Sequence, residues 1–193
     1  NDNAQLKEDE SITISVLKND NIKDKSNLII ELAENPQYGD VEIQGEQLIY
    51  TPNENFNGVD KFSYKVDTGM DSGTAQVKLN VNPVNDSPSG LSLKQNKIKE
   101  NLSTGTIIGE LLVKDPDTKE KFKFGLAKEN RDDFKIENGK LLSKRKFDFE
   151  KEKSFQVSIQ VTDSGNEKFI GSVSVMIENQ NEVPVLSKSN ESI

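Results

Sequence analysis

Apolar residues alternate with polar ones along most of this chain. Ile12, Ile14 and Val16 keep a period of two, as do Phe62, Tyr64 and Val66, then Ala75, Val77, Leu79 and Val81. The beat returns at Phe155, Val157, Ile159 and Val161, and again at Val173, Val175 and Ile177. Side chains of a strand point alternately to its two faces, so this period predicts strands with one buried face. The pattern places strands near 11–17, 28–33, 40–44, 46–51, 60–67 and 73–82, then near 91–98, 106–114, 121–126, 133–137, 140–144, 154–163 and 169–178. Between them stand turn formers: Asn19-Asp20-Asn21, Gly45-Glu46, Asn57-Gly58, Asn138-Gly139 and Ser164-Gly165-Asn166. No stretch sustains a helical period, although Thr118–Asp133 is charged enough to hold a short helical turn. Two sets of short strands broken by turn clusters predict an all-β chain of two tandem antiparallel Greek-key sandwiches.

The two sets meet at Val81-Asn82-Pro83-Val84-Asn85-Asp86-Ser87-Pro88. Both prolines lack an N–H and fix φ, so they end the ladder and stiffen the connection. A related phrase, Asn179-Gln180-Asn181-Glu182-Val183-Pro184, closes the second set, and Asn1-Asp2-Asn3-Ala4 reads as the tail of another copy. Recurrence at about 84 and then about 96 residues is the mark of an array. The expected division is residues 1–84 and 85–184, with 185–193 as a tail or the first strand of a further repeat. The chain reads as a piece of something longer.

Composition narrows the chemistry. Cysteine and histidine are absent, which excludes a disulfide framework, a zinc site, a thiol nucleophile and a Ser–His–Asp triad. Only 32% of residues are hydrophobic and 30% are charged, so the cores are thin and the periodicity is what argues against disorder. Asp and Glu outnumber Lys and Arg by 33 to 25, a net charge of −8. A duplex phosphate backbone would be repelled, and no nucleic-acid partner is expected. No apolar run approaches the roughly 20 residues of a membrane span, so no membrane insertion is expected.

In the second set, acids fall at strand ends: Glu100, Asp115 with Asp117, Asp148 with Glu150, and Asp163. Calcium takes six to eight oxygens from carboxylates, amide carbonyls and backbone. Acids one residue apart can face one ion once the pleat is broken, and Pro116 breaks it between Asp115 and Asp117. Asn85 and Asp86 add linker oxygens. Against this stands the plainer reading, that loop carboxylates of a β-protein are simply solvated.

Four of these motifs match, in order and spacing, the calcium motifs of a cadherin repeat: Lys99-Glu100-Asn101, Asp115-Pro116-Asp117, Phe147-Asp148-Phe149-Glu150 and Val161-Thr162-Asp163. The stretch 86–184 therefore resembles a cadherin repeat, with 179–184 similar to its linker. The first set is similar to the bacterial cadherin-like or Ig-like repeats of large RTX-type adhesins, through Glu8-Asp9-Glu10, Val16-Leu17-Lys18-Asn19-Asp20 and Tyr50-Thr51-Pro52-Asn53 followed by Phe56-Asn57-Gly58. The resemblance implies calcium (Ca2+) held by Asn85, Asp86, Asp115, Asp117 and Asp163. A second group, Glu100, Asp148, Glu150, Gln180, Asn181 and Glu182, would face the next repeat. Departures imply fewer ions than an animal cadherin junction holds. Pro83 and Asn179 stand where such linkers carry aspartate, Asp60 is a poor substitute for the acidic pair Asp148 and Glu150, and Asp67 sits one place off the usual aspartate. One well-formed calcium is expected at the linker.

These readings predict a calcium-rigidified spacer or adhesion module of an extracellular, cell-surface repeat protein, with neighbouring repeats of its own chain as partners and a monomeric isolated chain. The alternative is a carbohydrate-binding module contacting a surface glycan. Sugars stack on exposed aromatics, and here there is no Trp, Tyr50 and Tyr64 belong to strand cores, and only Tyr38 and Phe169 are candidates. Animal-type homophilic adhesion depends on an exchanged strand anchored by Trp, which is missing. An enzyme is not expected: glycosidase carboxyls act across a cleft several ångströms wide, and no motif places a Ser–Lys dyad.

Overall fold

The computed structural model describes residues 1–22, 26–118 and 120–182. Among these residues the regular elements are strands and one 3-10 turn, and the chain divides into a unit Asn1–Asn85 and a unit that begins at Asp86. Among the described residues no helix is long and apolar enough to cross a membrane.

The described residues of the first unit form β1 (Asp2–Lys7), β2 (Ile12–Ile14), β3 (Ile29–Glu34), β4 (Gly39–Gln44), β5 (Gln47–Pro52), β6 (Gly58–Asp67) and β7 (Ser72–Asn82). They form one sheet in the order β1-β7-β6-β3 and another in the order β2-β5-β4. Alternating positions of both sheets meet in a core of Val16, Leu48, Tyr50, Phe62, Tyr64, Val77 and Leu79. Each buried tyrosine carries its hydroxyl to a carboxylate, Tyr50 to Asp60 at 2.9 Å and Tyr64 to Asp2 at 2.9 Å. These bonds satisfy the polar tip that burial would otherwise strand.

Strand β1 corrects the reading of Asn1–Ala4 as a linker remnant. Asp2–Lys7 pairs in parallel with Val77–Asn82 and sends Leu6 into the core. With only Ala4 and Leu6 apolar, and a partner some seventy residues away in parallel register, its local signal is weak.

The second unit has β8 (Gly90–Leu93), β9 (Lys97–Lys99), β10 (Ile107–Lys114), β11 (Lys123–Leu126), β12 (Phe134–Glu137), β13 (Lys140–Ser143), β14 (Ser154–Thr162) and β15 (Lys168–Glu178). One sheet runs β12-β13-β10-β8 and the other β11-β14-β15-β9. Phe134, Leu141, Phe147, Val157, Ile159 and Val175 centre the core between them. The expected helical turn is the 3-10 turn Lys128–Asn130.

The single strand expected over 91–98 is two. Strand β8 is antiparallel to β10, whereas β9 is parallel to β15 in the other sheet. Lys94 N–H makes a bond to Glu110 O (2.9 Å) on the first sheet, and Asn96 O receives Met176 N–H (2.7 Å) from the second. The apolar phase shifts accordingly, from odd positions Leu91 and Leu93 to the even position Ile98. A Cβ on Gly109 would stand 2.0 Å from Gln95 O, so this crossing requires a residue without a side chain. At Asn138-Gly139 both residues have positive φ (50° and 70°), which closes a two-residue hairpin between Glu137 and Lys140.

Candidate functional site

The acids of the second unit collect at its two ends because they follow or precede its strands. At the end where the chain enters, Asp115 and Asp117 follow β10, Asp163 follows β14, and Asp86 precedes β8. Ser89 N–H bonds to Lys114 O (2.8 Å), which brings the entry segment against the end of β10. The carboxylates are then tied to backbone. Asp117 N–H donates to Asp115 Oδ1 (2.9 Å), Asp86 N–H to Asp117 Oδ2 (2.8 Å), and Glu167 N–H to Asp163 Oδ1 (2.8 Å). Asp163 is only 2% exposed.

Asp115 is the electrostatic focus. Its Oδ2 is shielded from solvent and has no hydrogen-bond partner. Burial pushes its carboxyl above the ordinary carboxylate range, and the charges of Asp117, Asp163 and Glu120 push the same way, against the opposing bond from Asp117 N–H. A buried carboxylate oxygen left without a donor is costly. A hard cation meets that need directly, and the donor set here is all oxygen. The residues present therefore fit calcium.

At the other end, Glu100 follows β9 and is 1% exposed. Its carboxylate accepts Gln180 N–H (2.8 Å) and Phe149 N–H (2.8 Å). Carboxylate oxygens of Glu100, Glu150 and Glu182 lie within 4.8 Å of one another. Asn179 Nδ2 holds Glu150 (3.0 Å), and Asn101 Nδ2 holds Glu182. Gln180 contributes here through its backbone, and Asn181 is exposed. Asp148, expected with this group, is turned aside. It pairs with Lys151 Nζ at 2.8 Å and caps the turn that contains it. The bond from Lys151 holds its carboxyl below the ordinary value.

Two further carboxylates, Glu8 and Glu120, stand outside the expected ligand groups. Glu8 of the first unit, 2% exposed, repeats the arrangement of Glu100. Glu8 N–H bonds to Asn82 O (2.9 Å) and its carboxylate takes Val84 N–H (2.5 Å). Glu100 N–H bonds to Glu178 O (3.0 Å) and its carboxylate takes the N–H two residues on, at Gln180. The following residues, Asp9 and Asn101, both have φ of 61°. The shared signal is a Glu followed by Asp or Asn just past a strand, in Glu8-Asp9 and Glu100-Asn101. In the first unit Asn57 Nδ2 takes the second oxygen of Glu8 (3.0 Å). The other carboxylate is Glu120, which accepts Ser164 N–H (3.1 Å) and the Ser164 hydroxyl.

The remaining sequence candidates have structural partners. Asp60 is 2% exposed and accepts from Gln37 N–H (3.1 Å), Tyr38 N–H (3.0 Å), Lys61 N–H (2.8 Å) and the Tyr50 hydroxyl. Asp67 pairs with Lys65 (3.3 Å) and receives Gly69 N–H (2.8 Å). Tyr38, 39% exposed, has one ring face stacked on Phe56 with centroids 4.4 Å apart, and Phe169 is half-buried. The expected strand over 185–193 lies outside the described residues.

The comparisons agree with this architecture. No curated protein matches the chain. Among solved structures, human protocadherin-24 EC1-2 is similar at 15% identity, covering 93% of this chain and 95% of that one, with a TM-score of 0.63. Human mucin-like protocadherin EC1-2 is similar at 15% identity over 93% and 96%, TM-score 0.51. Extracellular cadherin domains 1-5 of protocadherin gamma B2 are similar at 17% identity over 93% of this chain but 39% of that one, TM-score 0.53. At such identities the likeness is one of fold, and the chain spans well under half of the gamma B2 structure. The bacterial Ig domain family matches residues 1–82 and the cadherin domain family matches residues 94–178. In tandem order, residues 1–82 thus match the bacterial Ig domain family and residues 94–178 the cadherin domain family, the pairing expected from the motifs.

Proposed function

We propose that this chain is a non-catalytic, calcium-binding spacer or adhesion module of a longer extracellular surface protein. The observation that carries the reading is the buried, unpartnered Oδ2 of Asp115, with the charges of Asp117 and Asp163 acting on it. A calcium ion would be held by Asp115, Asp117 and Asp163, with Asn85 and Asp86 supplying oxygens from the linker. Bound there, the ion ties the linker to the second unit and removes the freedom of the chain at Val84–Ser87. The prolines on either side, Pro83 and Pro88, already limit that freedom. Glu100, Glu150 and Glu182, with Gln180 and Asn181 nearby, form the counterpart for a following repeat. Asp148 belongs to that group only after giving up Lys151. Such modules bind calcium at about 10⁻⁴–10⁻³ M, which suits an extracellular setting.

Calorimetric melting in millimolar calcium and then in excess EDTA tests the reading. A cation present at about 100 times its dissociation constant adds roughly 2.7 kcal/mol to the unit that binds it. For a unit of this size that raises the transition by several degrees. The shift is expected in the second unit and is expected to vanish in the double variant Asp115→Ala, Asp117→Ala. Equal transitions with and without calcium would mean that these acids are solvated loop residues.

A further inference from the structure

Glu120 acts on both Asp115 and the loop that carries Asp163. Its charge reaches Asp115, and its carboxylate receives both the N–H and the hydroxyl of Ser164, the residue next to Asp163. The loop from Asp163 to Glu167 joins β14 to β15, and it is closed on itself by Asp163 N–H to Glu167 O (3.2 Å) and Glu167 N–H to Asp163 Oδ1 (2.8 Å). Those two bonds fix the loop's shape. Glu120 links that loop to the segment that follows β10, since it lies on the same connection between β10 and β11 as Asp115 and Asp117.

We propose that Glu120 is a positioning residue for the cation site, holding the Asp163–Glu167 loop against the β10–β11 connection so that Asp163 meets Asp115 and Asp117. The proposal rests on the calcium reading given above. Both Ser164 donors converge on one oxygen of Glu120, Oε2, so the role assigned to Glu120 is that of a hydrogen-bond acceptor. That role requires its acceptor oxygen, which the amide of a glutamine would also supply. Partners that orient metal ligands in this way typically contribute about 10–100-fold to affinity.

Calcium titration calorimetry on the whole chain, with melting in EDTA as the control for folding, separates the cases. Glu120→Ala is expected to weaken calcium by about tenfold and to leave the EDTA melting of the second unit near that of the parent. Glu120→Gln, whose amide oxygen still accepts from Ser164, is expected to keep affinity near the parent. Ser164→Ala, which removes one of the two donors from the other side, is expected to weaken calcium less than Glu120→Ala. Parent-like affinity in Glu120→Ala, with binding still abolished by Asp115→Ala and Asp117→Ala together, would overturn the role of Glu120 and leave the calcium reading standing. Equal loss in Glu120→Gln and Glu120→Ala would overturn positioning in favour of charge. A parent chain that takes up no calcium would sink both.

Discussion

Asp60 offers the sharpest test of how hydrogen bonds organise a buried carboxylate of the first unit. The carboxylate is 2% exposed and accepts four hydrogen bonds, three from the backbone N–H groups of Gln37, Tyr38 and Lys61 and one from the Tyr50 hydroxyl. Asp60→Ala strands those donors together. A buried donor left unpaired costs about 1–3 kcal/mol. Some will find water in the space vacated, so the expected loss is about 3–5 kcal/mol rather than the full sum. At about 4–8 °C per kcal/mol for a domain of this size, the first transition should fall by at least about 12 °C or disappear. Tyr50→Phe removes only the hydroxyl and leaves Asp60 three donors, so it should cost about 1–2 kcal/mol. Asp60→Asn should fall between the two, because its amide turns donors toward donors. Calorimetry of the whole chain reads all three variants, with the second unit's transition as the internal reference. If Asp60→Ala melted within about 2 °C of the parent, the carboxylate would not be organising the 37–38 turn.

Two further predictions concern packing and ionisation. Gly109→Ala places a methyl 2.0 Å from Gln95 O and 2.9 Å from Leu93 Cγ, and should cost the second unit at least about 2 kcal/mol. Gly125→Ala meets nothing within 4 Å and should stay within about 0.5 kcal/mol; similar melting of the two variants would refute the close crossing between β8 and β9. In the first unit, burial and then the bond to a carboxylate raise the phenols of Tyr50 and Tyr64 well above their ordinary value of 10.0. The folded state keeps these protons after the unfolded state has lost them, so the contribution is whole below about pH 10 and falls as pH rises further. Phenolate absorbance from these two of the three tyrosines should appear together with loss of strand circular dichroism, and ionisation with the fold intact would count against it.

The strand pairs that carry the cores were legible because each has a buried face of its own. Phe155, Val157, Ile159 and Val161 read as one face of a strand in the chain and lie on one face of β14 in the structure. Asn138-Gly139 announced its turn because few residues other than glycine and asparagine tolerate positive φ. The acids at Asp115, Asp117 and Asp163 were legible as a group because their strand-end positions and the cadherin motif agree. What short-range pattern could not reveal depends on distant partners. Strand β1 exists through parallel pairing with β7, and β8 and β9 separate because one belongs with β10 and the other with β15.

The same division holds for the carboxylates. Charge and periodicity are properties of the chain, so they mark which residues could offer oxygen and at which strand ends. How each acid is spent is a matter of the folded chain, because it depends on which donor the fold brings within about 3 Å. The fold gave Asp60 four donors, turned Asp148 to Lys151, set Glu8 and Glu100 under the N–H groups of Val84 and Gln180, and left Asp115 Oδ2 buried without a partner.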